Sequence, residues 1–514
     1  MSSAVIRTGE GAGPSKPIAG LGGQDWAAPS AVQLMVLAFA VCAFTAVAFA
    51  RQLLWDGDTL WHLATGQWML DHRQIVVADP FSFTAPGKPW TNLEWLSEVV
   101  MAPVYDAGGL SGVQLLFALA LGVLTWILGG ELARKLPPFS CAVTLFLALA
   151  CTSQSWLARP HLLALPVLAL WTVQLLKARE RGRAPALWLL PVMTVWANLH
   201  GSFMLGLALV GPFAAEALCE APRTDRLRVV RDWGLFGVGA LVAALITPYG
   251  VMGPVYTLQL MTMRSLPDIV EWRSANFSRI GPLELTLLTT LFVILYRGVK
   301  IPIIRLATVL GLLHLALHET RHQMVLAVVG SILLAEPVGR ALVGAGPSPR
   351  LPPLSNRVRA GALAVMAVTV AVVIAVRLAI PAQLTEGPTA PIAALARVPE
   401  ALRRQPVLNE YGMGGYLIFN HVRPFIDGRA DMYGDEFVQP YMKATKGDAA
   451  ALRTLISRYH VRWTLLGIDD PAVANMDALK GWSRLYSDKW AVVHVKTEPE
   501  AAAPLPDPAR TPRG

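Results

Sequence analysis

A mainly helical, polytopic membrane protein with a small α/β domain at its C-terminal end is the fold class that three observations predict. Hydrophobic residues make up 54% of the 514 and charged residues 15%, with a mean hydropathy of +0.46, a balance too apolar for a soluble protein. Apolar runs recur through residues 31–380, about eleven of them near the roughly 20-residue length that crosses the hydrocarbon layer. Beyond residue 380 the pattern stops, and short apolar runs alternate with helical ones. A net charge of +9 does not indicate nucleic acid, because the basic residues cluster in short loops between apolar runs, as the positive-inside bias places them. The 4 cysteines, Cys42, Cys141, Cys151 and Cys219, lie in or beside apolar runs and form neither a disulfide framework nor a zinc motif.

Residues 1–28, rich in Gly, Pro and Ala, read as a disordered cytoplasmic tail. The apolar run at 31–50 lacks the basic start of a signal peptide and reads as the first span of a membrane domain covering 29–380. A first outer loop follows at 51–110. Further apolar segments fall at 111–133, 139–155, 161–176, 185–200, 202–219, 233–249, 281–296, 301–317, 323–340 and 360–380. Arg134 and Lys135, then Lys177 to Arg183, Arg223 to Arg231, Arg297 and Lys300, and Arg340 to Arg359 occupy every second connection, which puts those connections in the cytoplasm. The N-terminus is then cytoplasmic, and the alternate connections, with everything after residue 380, face the opposite side.

Those outer connections are rich in ionisable groups, which are costly at membrane depth and mark functional candidates. WLARPH carries Arg159 and His161, NLHGSF carries His200, EWRSANF carries Glu271 and Arg273, and HETRH carries Arg321 and His322. The first loop adds DGDTLWHLATGQWML, where Asp58 either caps a helix or presents its carboxylate to a site. Asp58, His62 and Thr65 share one face of that helix, and Trp55, Trp61 and Trp68 suit a helix lying along the membrane surface. Asp56 and Asp58 flank Gly57, which can turn both carboxylates inward to hold a divalent cation or act as a general base. Asp79 before Pro80 suits a turn. A short helix is expected from near Asn92, with Glu94 and Glu98 on one face, either solvated or facing the site.

After residue 380 a domain over 381–498 is expected outside the cytoplasm. VLNE, PFIDG, VRWTLLG, WSRLYS and WAVVHVK read as strands between helical MGGYLIFN, DAAALRTLISRYH and PAVANMDALKG, which favours a largely parallel sheet closed by a hairpin at YSDKW. NEYGMGGYL is either a plain turn or a weak phosphate loop. FIDGRADMYGDE displays Asp427, Arg429, Asp431, Tyr433 and Asp435 after a strand, where such residues either contact ligand, here the acceptor, or form a salt-bridged loop that closes the small domain. The tail 499–514 is rich in Pro and Ala and is expected to be disordered.

The first loop, with DGDTLWHLATG, DPFSFT and WTNLEWLSE, resembles bacterial members of the GT-C superfamily of membrane glycosyltransferases, and the layout over about residues 30–500 is similar to theirs. That resemblance implies transfer of a sugar from a polyprenyl-phosphate carrier to a glycan, lipid or protein acceptor on the outer face of a bacterial cytoplasmic membrane. It makes Asp58 the base, with Asp56 as its partner or as ligand to a divalent cation, and gives Arg159, Arg273, Arg321 and His322 the lipid phosphate. His62, Glu94, His161, His200, Glu271, Asp427 and Arg429 complete the expected substrate contacts. Two other classes stay open: a transporter or flippase of a lipid-linked glycan, and a noncatalytic scaffold for envelope assembly. The absence of an internal repeat and the gathering of charge at one face weigh against the transporter.

Overall fold

The computed structural model describes residues 29–343 and 352–497; the expected tails at 1–28 and 499–514 lie outside the described residues. Helices occupy every apolar segment. They run as α1 Ala31–Ala48, α2 Gly57–His72, α3 Trp95–Lys135, α4 Pro138–Ser153, α5 Pro160–Glu180, α6 Leu189–Leu199 and α7 Phe203–Glu220. There follow α8 Arg226–Ala244, α9 Met252–Leu260, α10 Pro282–Arg297 and α11 Ile303–His318, then α12 Thr320–Val343 and α13 Asn356–Ala379. Of these, α1, α3, α5, α7, α12 and α13, 6 in all, are long and apolar enough to cross a membrane.

Helix α3 runs over 41 residues but is interrupted at Gly109, whose φ of 57° and ψ of −151° are non-helical and belong to a region open essentially to glycine. The expected short helix near Asn92 and the span at 111–133 are therefore two helical stretches on either side of that break. Its span half presents Phe117, Leu121, Leu124 and Leu128, all buried, along one helical stripe. On another side of the helix Gly129 makes room for neighbouring side chains: a Cβ there would stand 2.7 Å from the Val36 side chain of α1. Small residues at such contacts let helices pack closely where lipid removes the hydrophobic drive.

At the ends of the helices away from the first loop, buried charges cross-link the bundle. Arg305 of α11, 2% exposed, donates from Nε to Glu216 of α7 at 2.8 Å and from Nη1 to Glu336 of α12 at 2.8 Å. Arg179 of α5 pairs with the same Glu216 at 3.1 Å. Buried pairs with both partners present are tolerated; removing one leaves a charge exposed to low dielectric.

The C-terminal part holds a four-stranded sheet of β1 Val407–Asn409, β2 Trp463–Gly467, β3 Trp482–Ser487 and β4 Ala491–Lys496 in the order β1-β2-β4-β3. Only β1 and β2 are parallel; β2 with β4, and β4 with β3, are antiparallel, so the largely parallel sheet is corrected to a mixed one. The hairpin from β3 to β4 closes it. PFIDG is not a strand. The Asn409 side chain accepts from Phe425 N and donates to Ile426 O, both at 2.8 Å, taking the backbone bonds a neighbouring strand would otherwise need.

This part is seated directly on the first loop. Gly57 of α2 meets the loop before α14, Gly414–Phe419: a Cβ on Gly57 would overlap the Gly412 carbonyl, and one on Gly415 would overlap the Gly57 carbonyl. Gly415 of NEYGMGGYL, with the Gly412 carbonyl, thus serves close packing against the start of α2. Trp61, expected as an interface anchor, is 6% exposed in this packing.

Candidate functional site

The start of α2 sets the geometry. The helix begins at Gly57 and its cap is Asp56, whose side chain accepts from Asp58 N, so Asp58 itself is not the cap. Asp56 keeps an extended backbone (φ −97°, ψ 126°), and this lets two carboxylates that would diverge on a continuous helix aim at one cation. That cation is Arg159, the residue before α5. Its Nε pairs with Asp56, Nη2 lies 2.9 Å from Asp56 Oδ1 and 2.5 Å from Asp58 Oδ2, and Nη1 lies 2.6 Å from Glu271 Oε2. Burial pushes the Asp58 carboxyl up to about 7, with Arg159 pulling it down and Asp56 and Glu271 pushing it further up. For Glu271 burial also acts upward, but Arg159 and Arg321 outweigh it and hold the group below the usual range. Gly428 leaves the room Asp58 needs, since a Cβ there would overlap the Asp58 carboxylate.

A second chain of polar groups lies behind α2. His62 Nδ1 is 2.8 Å from Glu98 Oε1, and its Nε2 is 3.5 Å from Glu94 Oε2. Glu98 also accepts from Asn92 Nδ2 at 2.5 Å and is fully buried, so it faces no solvent. His200 Nε2 reaches Glu94 Oε1 at 3.2 Å, while its Nδ1 accepts from Ser202 N at 3.1 Å, which places the ring proton on Nε2. Burial, then Asp431, push Glu94 up to about 8. Burial, with His161 and Arg321 adding to it, holds His200 well below the usual histidine range, hence neutral.

These groups face a cavity of about 1650 Å³ between the helix bundle and the C-terminal part. Asp56, Asp58, His62, Glu94, Arg159 and His161 line it, as do His200, Glu271, Arg273, Arg321 and His322. One end runs between α5, α7, α11 and α12 and is apolar, walled by Leu165, Leu168, Leu205, Leu312, Leu315 and Val325. The other end reaches Glu410, Asp470, Lys489 and Trp490 of the C-terminal part. Arg321 lies on the cavity wall with its guanidinium 4.0 Å from the Trp272 ring, and it forms no carboxylate ion pair among the described residues. Arg159, expected to hold a phosphate, is instead engaged at every nitrogen by carboxylates.

Asp427 and Arg429 are not on the cavity wall. They are 0% and 1% exposed: Arg429 grips Asp427 through Nε at 2.7 Å and Nη2 at 2.6 Å and reaches Asp79 of the first loop at 2.7 Å. Tyr433 donates to Asp427 at 2.8 Å, and the Arg429 guanidinium lies 4.9 Å from the Trp90 ring. The expected substrate contacts are thus a buried clamp joining the C-terminal part to the first loop. Asp79 is a turn former as well, accepting from Phe81 N and Ser82 N. Sequence reasoning missed Tyr256 and Tyr411, both on the cavity wall; Tyr256 donates to Asp431 at 2.9 Å and Tyr411 to Gly428 O at 3.0 Å. Neither carries a spacing signal.

A divalent cation does not fit this donor set. Asp56, Asp58 and Glu271 do converge, but on the Arg159 guanidinium, and among the described residues no group of three or more His, Cys, Asp or Glu side chains stands ready for a metal.

No protein-family model and no curated protein sequence matches the chain. Among solved structures it is similar to the crystal structure of the Archaeoglobus fulgidus oligosaccharyltransferase in its apo form, with a TM-score of 0.54 over 85% of this chain and 70% of that one, at 10% identity. Identity this low speaks for the fold. The two share a fold, and 6 helices among the described residues of this chain are long and apolar enough to cross a membrane.

Proposed function

We propose that this protein is a GT-C-type glycosyltransferase that moves a sugar from a polyprenyl-phosphate carrier to a glycan, lipid or protein acceptor at the outer face of a bacterial cytoplasmic membrane. The observation that carries this reading is the cavity itself, which joins an apolar cleft between helices to a polar chamber containing Asp58 and Arg321. The orientation follows the basic connections and the eleven helical segments read as spans, which put the chamber outside. In this reading the prenyl chain lies between α5, α7, α11 and α12, and Arg321, with Arg273 and His322 nearby, holds the phosphate through the fork geometry of guanidinium.

Asp58 acts as general base. Its carboxyl, titrating near 7, is matched to proton abstraction near neutral pH. It takes the proton of the acceptor hydroxyl as that oxygen bonds to the anomeric carbon. The bond from that carbon to the phosphate oxygen breaks, and its electron pair leaves with the phosphate, whose charge Arg321 balances. Asp56 and Arg159 fix the direction of the Asp58 carboxylate. The acceptor enters from the end lined by the C-terminal part.

The test is transfer from radiolabelled polyprenyl-phosphate sugars by the full-length protein in membrane vesicles. Asp58→Asn is expected to lower turnover by about 10²–10⁴-fold, the usual worth of a positioned base, with donor binding retained. Unchanged turnover removes Asp58 from the base role. Failure of the wild-type protein to bind or consume any such donor removes the transferase reading.

A further inference from the structure

Three carboxylates from distant parts of the chain, Asp56 and Asp58 of the first loop and Glu271 of the loop after α9, meet at one point of the cavity wall. Convergence of this kind needs a cation, because removing one partner of a buried charge cluster leaves the rest uncompensated. The cation on hand is not incidental to the fold. Arg159 stands on extended backbone (φ −121°, ψ 156°) at the start of α5, and the residue before it, Ala158, donates its N–H to Leu53 O at 2.9 Å. The guanidinium is thus delivered by a backbone segment that is hydrogen-bonded to the entrance of the first loop. Its Nε, Nη1 and Nη2 all meet carboxylate oxygens. A divalent ion, by contrast, gathers six or more oxygens around one point, whereas these carboxylates meet three different nitrogens of one planar guanidinium.

We infer that Arg159 is the resident cation of the Asp56, Asp58 and Glu271 cluster, occupying the position a divalent metal would take, so that the site is organised without metal. Arg159 is a positioning residue: it touches the base, not the substrate. The inference deepens the transferase reading, for it makes transfer insensitive to chelators, yet it is tested by metal binding alone and so fails or stands separately from that reading.

The experiment is Mn²⁺ titration of the full-length protein in lipid nanodiscs, with free Mn²⁺ followed by electron paramagnetic resonance, with and without a polyprenyl monophosphate present. Wild-type protein is expected to show no stoichiometric site in either condition. Arg159→Ala, which leaves three carboxylates facing an open position, is expected to gain Mn²⁺ affinity by about tenfold or more, as carboxylate ligands freed for a hard cation should provide. Asp56→Asn added to that variant should abolish the gain. Stoichiometric Mn²⁺ on the wild type that is lost in Asp56→Asn overturns the inference, and so does a folded Arg159→Ala protein with no gain. Should Arg159→Ala fail to fold, Arg159→Gln replaces it, and the wild-type titration still decides.

Discussion

At the scale of single residues the proposed chemistry is divided between Asp58 as base and Arg321 as phosphate holder. On the proposed reading Asp58 acts as its carboxylate, and burial pushes that group up to about 7, so transfer should rise with pH through about 7 and level above it. Glu271 helps to hold that value up, so Glu271→Gln should move the rising limb to lower pH; a pH–rate profile under saturating donor reads both effects, and an unmoved limb removes the coupling. Arg321→Gln should raise the donor KM by about 10–100-fold, the worth of a hydrogen-bonded charge of about 1.5–3 kcal/mol, with the acceptor KM unchanged. Most of the site was legible at this scale because each charged residue stands out against apolar neighbours. For Asp427 and Arg429 the sequence leaves a ligand contact and a salt-bridged loop equally open, and the structure favours the second, because the partner that completes the clamp, Asp79, lies 350 residues from Arg429. Arg159 was assigned to phosphate because sequence shows its charge but not the three carboxylates that consume it.

At the scale of elements, the seat between α2 and α14 and the ion-paired end of the bundle hold the site in place. Gly415→Ala puts a methyl group into the Gly57 carbonyl; it should lower the thermal midpoint in detergent and reduce turnover, because the start of α2 must shift and Asp58 with it. Arg305→Ala strips the shared partner from Glu216 and Glu336 and should destabilise the helix bundle by about 3–5 kcal/mol, the penalty for breaking a buried pair, read by denaturant or thermal unfolding. The helices themselves were written in the apolar periodicity, and each apolar segment became one. Where they begin and end was less visible. Nothing in the sequence separates a helix start at Asp58 from one at Gly57, and the break between the loop helix and the next span rests on the conformation of Gly109. PFIDG has the composition of a strand, and only the side chain of Asn409 turns it into a tethered loop.

Across the whole molecule, the charged cavity and a second, separate network of buried ion pairs lie at opposite ends of the bundle. The chamber opens between the helices and the C-terminal part, while Arg179, Glu216, Arg305 and Glu336 tie α5, α7, α11 and α12 together at the far ends. A carrier exposing its site alternately to the two sides would have to part those four helices, which favours a fixed chamber over a flippase. Composition and basic-loop spacing made the membrane class legible, whereas the mixed sheet and its seating on the first loop depend on contacts between residues hundreds of positions apart. The most direct measurement is an experimental structure of the full-length protein with a non-transferable polyprenyl-phosphate sugar analogue bound. The phosphate should lie against Arg321, the prenyl chain between α5, α7, α11 and α12, and the anomeric carbon on the Asp58 side of the chamber. A phosphate seated away from Arg321, or a prenyl chain outside this cleft, would contradict the account.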